Sequence, residues 1–298
     1  MIYSGGKYLV GAHVFIYQMS LDRLANRLLL SLEQHVSSWC DGFRSIYTRQ
    51  RFMRRFLSAQ NEVVGRLYDS TEDIRVLAGP FQGMRYINEV TLGSLIPKWI
   101  GTYEMELHPW IRQIVERPPR IVIDVGCAEG FYAVGLARLL PEVRVFAFDV
   151  DFISRLQLRK LSRLNSVANQ IEIAGRCSHQ EIERLAAGGG ALLIADIEGL
   201  ETLLLDPVAC PCLAITRILV ELHPAFGGVL KDTRRELRIR FAGTHHAEEL
   251  SSLSRSAANG SHLLPLGFQN GEIPALLEEY RGVAQSWLLL SPTRGQSP

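Results

Sequence analysis

The residues of this chain best suited to chemistry begin with Asp124-Val125-Gly126-Cys127-Ala128-Glu129-Gly130, followed by Asp149, Asp196, Glu198 and His223. In the first stretch an acid precedes a run of small residues. Gly126 permits a sharp turn and a close approach of backbone to ligand, and Gly130 lets a following helix start tightly against that ligand. Asp149 comes about twenty residues past this loop, where an acid accepts hydrogen bonds from both hydroxyls of a ribose. Cys127 lies near a helix N-terminus, which lowers a thiol pKa. No base stands beside it in sequence, so it reads as an inert loop thiol. Cys210-Pro211-Cys212 lacks a second cysteine pair at zinc spacing, and His245-His246 lacks a third ligand. No metal site is expected.

These side chains need elements to hold them, and after Pro119 the chain alternates strand and helix. Ile121-Val122-Ile123-Asp124-Val125 is an apolar, β-branched run, as expected of a strand covered on both faces. Phe131 to Leu140 reads as a helix broken by Pro141. Val143 to Phe148 is a second strand ending at Asp149, and Asp151 can cap the next helix. Ile171-Glu172-Ile173, Ala191 to Ala195 and Ile218-Leu219-Val220 supply three further strands, the fourth ending in Asp196 and the fifth leading into Glu221-Leu222-His223-Pro224. Lys231 to Phe241 and Ala275 to Tyr280 read as helices, His246 to Leu250 as a strand, and Ser286 to Leu290 as an apolar final strand. Repeated β-α units argue for a parallel sheet with helices on both faces. In such a sheet ligands sit beyond the carboxyl ends of the strands, where the strand order reverses.

Two nucleotide-type cofactors suit that layout. A dinucleotide wants Gly-x-Gly-x-x-Gly so that backbone amides reach the pyrophosphate, and Ala128 breaks that spacing. A carboxylate at Asp124 would face phosphate there. The same carboxylate suits an amino-acid-bearing nucleoside with a cationic amine, namely S-adenosylmethionine (SAM). No Gly-Lys-Ser/Thr follows the strand, which excludes a P-loop.

With these stretches the sequence resembles the class I SAM-dependent methyltransferases, and in particular the FkbM-type family. The resemblance rests on Ile123 to Tyr132, on Val145-Phe146-Ala147-Phe148-Asp149, on Ala195-Asp196-Ile197-Glu198-Gly199-Leu200-Glu201, on Val220 to Pro224 and on Trp287 to Leu290, and spans about Gly79 to Pro292. It implies a Rossmann-like, doubly wound, mostly parallel seven-stranded sheet. The chain departs from the broader class at Ala128, where a middle glycine is usual, and carries Asp149 where FkbM-type members often have Glu. Residue by residue, the resemblance implies that Gly126, Cys127, Ala128 and Gly130, flanked by Asp124 and Phe131, wrap the methionine part of SAM. Asp149, with Val150 next to it, would hold the ribose. Asp196 and Glu198 would face the sulfonium and the acceptor, and one of them or His223 would take the proton from an acceptor hydroxyl. Tyr103 and Glu104 would open the helix that leads toward the pocket and line it.

Composition bounds the rest. The chain has 298 residues, with 32 Lys+Arg against 31 Asp+Glu. That near balance argues against bulk nucleic-acid binding. Five scattered cysteines argue against a disulfide framework and for a reducing, cytoplasmic setting. The apolar stretch after Lys7 is interrupted by His13 and Gln18 and is read as soluble protein rather than a leader. No run is long enough to span a membrane. The expected organisation is a helical extension over 1–75, a hairpin and helix over 76–118, a SAM-binding domain over 119–292 and a tail over 293–298. The amphipathic helices suggested by Leu21, Leu24, Leu28 and Leu32 could pair with a second subunit, and Arg49 to Arg55 forms a basic face. The expected activity is methyl transfer to a hydroxyl of a small molecule or sugar. The rivals are a non-catalytic binding module on the same fold and an NAD-dependent oxidoreductase.

Overall fold

The computed structural model describes residues 60–89, 95–224, 230–279 and 285–293. The chain divides into two units, Met1–Ala59 and Gln60–Pro298, and everything below concerns the second. The readings on Lys7 to Gln18, Leu21 to Leu32, Cys40, Arg49 to Arg55 and residues 294–298 lie outside the described residues.

The sheet is built from β1 (Ile121–Val125), β2 (Arg144–Phe148), β3 (Ile171–Ala174), β4 (Ala191–Ala195), β5 (Arg217–Glu221), β6 (His245–Ser251) and β7 (Ser286–Pro292). Their order is β3-β2-β1-β4-β5-β7-β6. Strands β1 to β5 run parallel, and β7 is inserted antiparallel between β5 and β6. The doubly wound, mostly parallel seven-stranded sheet is therefore as the sequence implies. All five residues of β1 and of β4 are buried. In β1, Val122 packs into one apolar layer and Ile121, Ile123 and Val125 into the other. A strand covered on both faces needs apolar residues at every position, and this is why its sequence runs Ile-Val-Ile without alternation.

The helices are α1 (residues 60–67), α2 (Ile96–Ile100), α3 (His108–Glu116), α4 (Phe131–Leu139), α5 (Phe152–Leu164), α6 (His179–Ala186), α7 (Glu201–Leu204), α8 (Leu230–Phe241) and α9 (Ile273–Leu276). Short 3-10 segments cover Met105–Leu107, Pro211–Ile215 and Ala257–Leu266. One layer of the core joins α4 and α5 to residues 63–114 through Trp99, Trp110, Phe131 and Leu158; the other joins α6 and α8 through Ile182, Leu185, Leu237 and Phe241.

Three local expectations change. The hairpin over Gly79 to Tyr86 is reduced to a single bridge between Arg75 and Arg85, beside which the Val76 amide donates to the Met84 carbonyl and the Gly83 amide to the Val76 carbonyl. Tyr103 and Glu104 do not open a helix. Gly101 ends α2 at φ +79°, the amides of Thr102 and Tyr103 both donate to the Pro97 carbonyl, and Glu104 sits at φ +44°, so helical geometry resumes only at Met105. The late helix is α9, Ile273–Leu276, rather than Ala275 to Tyr280: Pro274 occupies its first turn, where a missing N–H costs nothing.

Candidate active site

Strand order reverses between β2-β1 and β4-β5, so the loop after β1 and the ends of β4 and β5 share one crevice. Asp124 is the fourth residue of β1 and is buried. Its Oδ2 has no hydrogen-bond partner. Burial pushes its pKa up to about 8, and the neighbouring Asp196 and Asp149 add to the rise. At Gly126 the backbone turns with φ +82°, and a Cβ there would lie 1.7 Å from the Asp196 carbonyl oxygen. Only a glycine lets the first loop press against the end of β4. Gly130 plays the corresponding part against α5: its φ is +97°, and a Cβ would meet Leu158 at 2.2 Å.

Asp149, beyond β2, fixes the loop from the side. Its Oδ2 accepts from the Ala128 amide at 2.8 Å and its Oδ1 from the Asp151 amide at 2.8 Å. Each oxygen keeps a second acceptor direction for a ligand hydroxyl. Capping of α5 belongs to Asp151, which accepts from the Ile153 and Ser154 amides.

The pocket above this loop is lined by Tyr103, Glu104, Asp124, Gly126, Cys127, Ala128, Phe131 and Asp196 among the expected residues, and also by Lys98, Glu129, Tyr132, Leu219, Glu221 and Trp287. Lys98 is the only Lys or Arg among these lining residues, and it is committed: its ammonium pairs with Glu129, and both side chains are buried. Tyr86 donates to the same Glu129 oxygen at 2.6 Å, and the Lys98 ammonium also lies 4.7 Å from the centre of the Tyr103 ring. Lys98 and Tyr86 hold Glu129 as the carboxylate, below its ordinary pKa despite burial. The Tyr132 hydroxyl donates to Glu104. The other charged side chains among the described lining residues, Glu104, Asp124, Asp196 and Glu221, are acidic.

An imidazole faces the acids beside this pocket. His223, just past β5, is 8% exposed and its Nδ1 lies 2.8 Å from Oε1 of Glu201, which is fully buried. That contact places the ring proton on Nδ1 and turns the Nε2 lone pair outward. Nε2 stands 3.7 Å from carboxylate oxygens of Asp196, Glu198 and Glu221, beyond hydrogen-bond reach of each. Burial lowers the His223 pKa, but Glu201 and the surrounding carboxylates outweigh it and leave a net rise. Glu198 reaches its place through φ +54°. Asp196, Glu221 and His223 each offer one ligand atom, all within 4.8 Å of one another.

The expected residues thus gather around one crevice in different shells. Gly130, Asp149, Glu198 and His223 stand behind or beside the lining, and Val150 is 78% exposed. Cys127 lines the pocket as a buried thiol whose pKa is pushed well up by burial and by Asp124 and Asp149. His245 is buried with Nε2 2.8 Å from the Thr216 carbonyl, and neither it nor His246 joins a metal-ligand cluster among the described residues. Lys98, Glu129 and Glu201 escape a reading of the sequence. The one available signal is Glu201, an acid following Glu198-Gly199-Leu200 at a helix start.

No family model matches this chain, and no curated protein matches it. Among solved structures it is similar to an O-methyltransferase from Bacillus cereus in complex with SAH: 12% identity, 60% of this chain and 78% of that chain, TM-score 0.42. It is also similar to the O-methyltransferase TomG from Streptomyces achromogenes, involved in tomaymycin synthesis and in complex with SAM: 14% identity, 60% and 77% coverage, TM-score 0.41. At such identities and scores neither likeness bears on function, which rests on the site itself. No helix among the described residues is long and apolar enough to cross a membrane.

Proposed function

We propose that this protein is a SAM-dependent methyltransferase acting on a hydroxyl of a small molecule or sugar. The observation that carries the reading is the charge of the pocket. Lys98, the one Lys or Arg among the described lining residues, is paired with Glu129, one buried Asp124 oxygen has no hydrogen-bond partner, and the lining also carries the carboxylates of Asp196 and Glu221. Such walls repel a pyrophosphate and suit a ligand with an ammonium and a sulfonium. The residues present fit SAM: Gly126 to Gly130 with Cys127, Ala128 and Phe131 cradle its amino-acid part, Asp124 takes the ammonium, Asp149 and the adjoining Val150 take the ribose, and Tyr103 and Glu104 close the near wall. When bound, SAM supplies an electrophilic methyl group. The resemblance to the FkbM-type family supports the same assignment.

His223 Nε2 receives the acceptor's hydroxyl proton, and Glu201 orients the ring and steadies the resulting imidazolium. Asp196 and Glu198 hold the acceptor against the developing positive charge. One observation favours a second reading of these residues. Asp196, Glu221 and His223 converge closely enough to hold a divalent cation, which would acidify the hydroxyl in place of the imidazole. Chelation separates the two, since turnover by the imidazole survives it. The four described cysteines are unpaired thiols, which fits a cytoplasmic enzyme.

Calorimetric titration with SAM and, separately, NAD tests the reading. SAM should bind and NAD should not, and Asp149→Ala should weaken SAM by at least about tenfold, the loss of about one ribose hydrogen-bond pair. Folded protein that ignores SAM sinks the proposal. His223→Ala should keep SAM affinity and lose about 10²- to 10⁴-fold in SAH release during a screen of hydroxyl acceptors.

A further inference from the structure

On the far side of the sheet from α4 and α5, three side chains converge from separate elements. Cys210 ends the loop after α7, Cys212 lies in the 3-10 segment Pro211–Ile215, and Glu183 extends from α6. Pro211 between the cysteines fixes its own φ and limits the pair's freedom. Both cysteines are buried, while Glu183 reaches the surface. Cys210 Sγ and Cys212 Sγ are 3.5 Å apart, and Glu183 Oε2 lies 3.6 Å from Cys210 Sγ. The Cys212 amide donates to the same oxygen at 3.1 Å and so fixes the carboxylate. All three ligand atoms fall within 4.8 Å of one another.

These separations match a tetrahedral zinc ion. Zinc–sulfur bonds of about 2.3 Å and zinc–oxygen bonds of about 2.1 Å, opened at the tetrahedral angle, place two sulfurs about 3.8 Å apart and a sulfur and an oxygen about 3.6 Å apart. The sulfurs are also well beyond disulfide bonding, which needs about 2.05 Å. Glu183 is partly exposed, so an ion and a water as fourth ligand would have to come from its side. We propose that Glu183, Cys210 and Cys212 bind a zinc ion, separate from the catalytic crevice.

On binding, each thiol gives up its proton to solvent and the ion is held by two thiolates and one carboxylate. The consequence is mechanical. His179, at the start of α6, has its Nε2 3.0 Å from the carbonyls of both Leu203 and Leu204, the end of α7. Zinc would tie the middle of α6 to the segment just after α7. Two anchors would then fix the short helix whose first residue, Glu201, orients His223.

The test uses the full chain, reduced and stripped of metal, titrated with Co²⁺. One equivalent should bring thiolate-to-cobalt absorption with tetrahedral ligand-field bands, and Zn²⁺ should displace it. The Cys210→Ala/Cys212→Ala variant should lose the absorption. Glu183→Gln, changed at a surface-reaching position, should weaken Co²⁺ by at least about tenfold. The proposal is overturned if folded wild-type protein shows no absorption in excess Co²⁺, or if the absorption persists in the double variant. It is overturned equally if peptide mass spectrometry of the unreduced protein finds Cys210 and Cys212 joined in a disulfide. Should the double variant not fold, unchanged affinity in Glu183→Gln overturns it alone.

Discussion

Asp124 makes the charge argument measurable through pH. With its pKa near 8 in the free protein, the carboxyl is about one-tenth ionised at pH 7 and one-hundredth at pH 6. A bound ammonium requires the ionised form, so SAM binding must expel a proton from Asp124 below pH 8. Affinity should therefore rise about tenfold, or about 1.4 kcal/mol, from pH 6 to pH 7. It should level near pH 8, where an α-amino group of pKa about 8 begins to lose its own proton. Calorimetry in two buffers of different ionisation enthalpy counts the expelled proton directly, and the number should approach one per SAM at pH 6. Stability of the free protein follows with the opposite slope. The folded pKa lies above the unfolded value of 3.8, so the folded state holds the extra proton between about pH 4 and pH 8. The stability this proton gives is complete below pH 4 and is lost as pH rises through 8. Asp124→Asn should thus melt higher than wild type at pH 8.5, gain little at pH 4, and bind SAM weakly with no pH dependence between 6 and 7. A wild-type protein that expels no proton, or an Asn variant that keeps the slope, refutes the reasoning.

Two further perturbations address the parts that shape the pocket. Lys98→Met leaves the Glu129 carboxylate buried without its cation and should cost about 3–5 kcal/mol, or about 10 °C in Tm by thermal unfolding; adding Glu129→Gln should recover most of it. Gly126→Ala should abolish SAM binding and lower Tm, because its Cβ would sit 1.7 Å from the Asp196 carbonyl, whereas Gly175→Ala, with nothing within 4 Å, should leave both unchanged.

What the sequence discloses here is what depends on neighbours along the chain. The apolar runs of β1 and β4 announce strands covered on both faces, and the glycines after β1 announce a turn, because burial and φ act within a few residues. Asp151 is legible as a cap for the same reason. The pairing of Lys98 with Glu129 spans 31 positions and that of Glu201 with His223 spans 22. Neither has a local signature: the first arises because α2 meets the loop after β1, the second because β4 and β5 end side by side. The Asp149 contact with Ala128 is hidden likewise, although the distance of Asp149 from the loop draws notice to it. Where two local rules compete, as at Tyr103 and Glu104, the tertiary turn at Gly101 decides.

The long-range pairs matter because they set the sign of the field in the crevice. An unpaired Lys98 on the wall would offer a phosphate its counter-charge and make a dinucleotide plausible. Glu129 removes that option, and its burial makes the pairing hard to break, since a lone carboxylate there would face the desolvation cost unaided. Asp124, by contrast, bears its desolvation cost with one oxygen unpartnered, which no purely structural role requires. A cation arriving from solution satisfies that oxygen. The same buried acid that weakens the free fold at neutral pH is thereby the group that gains most from a cationic ligand.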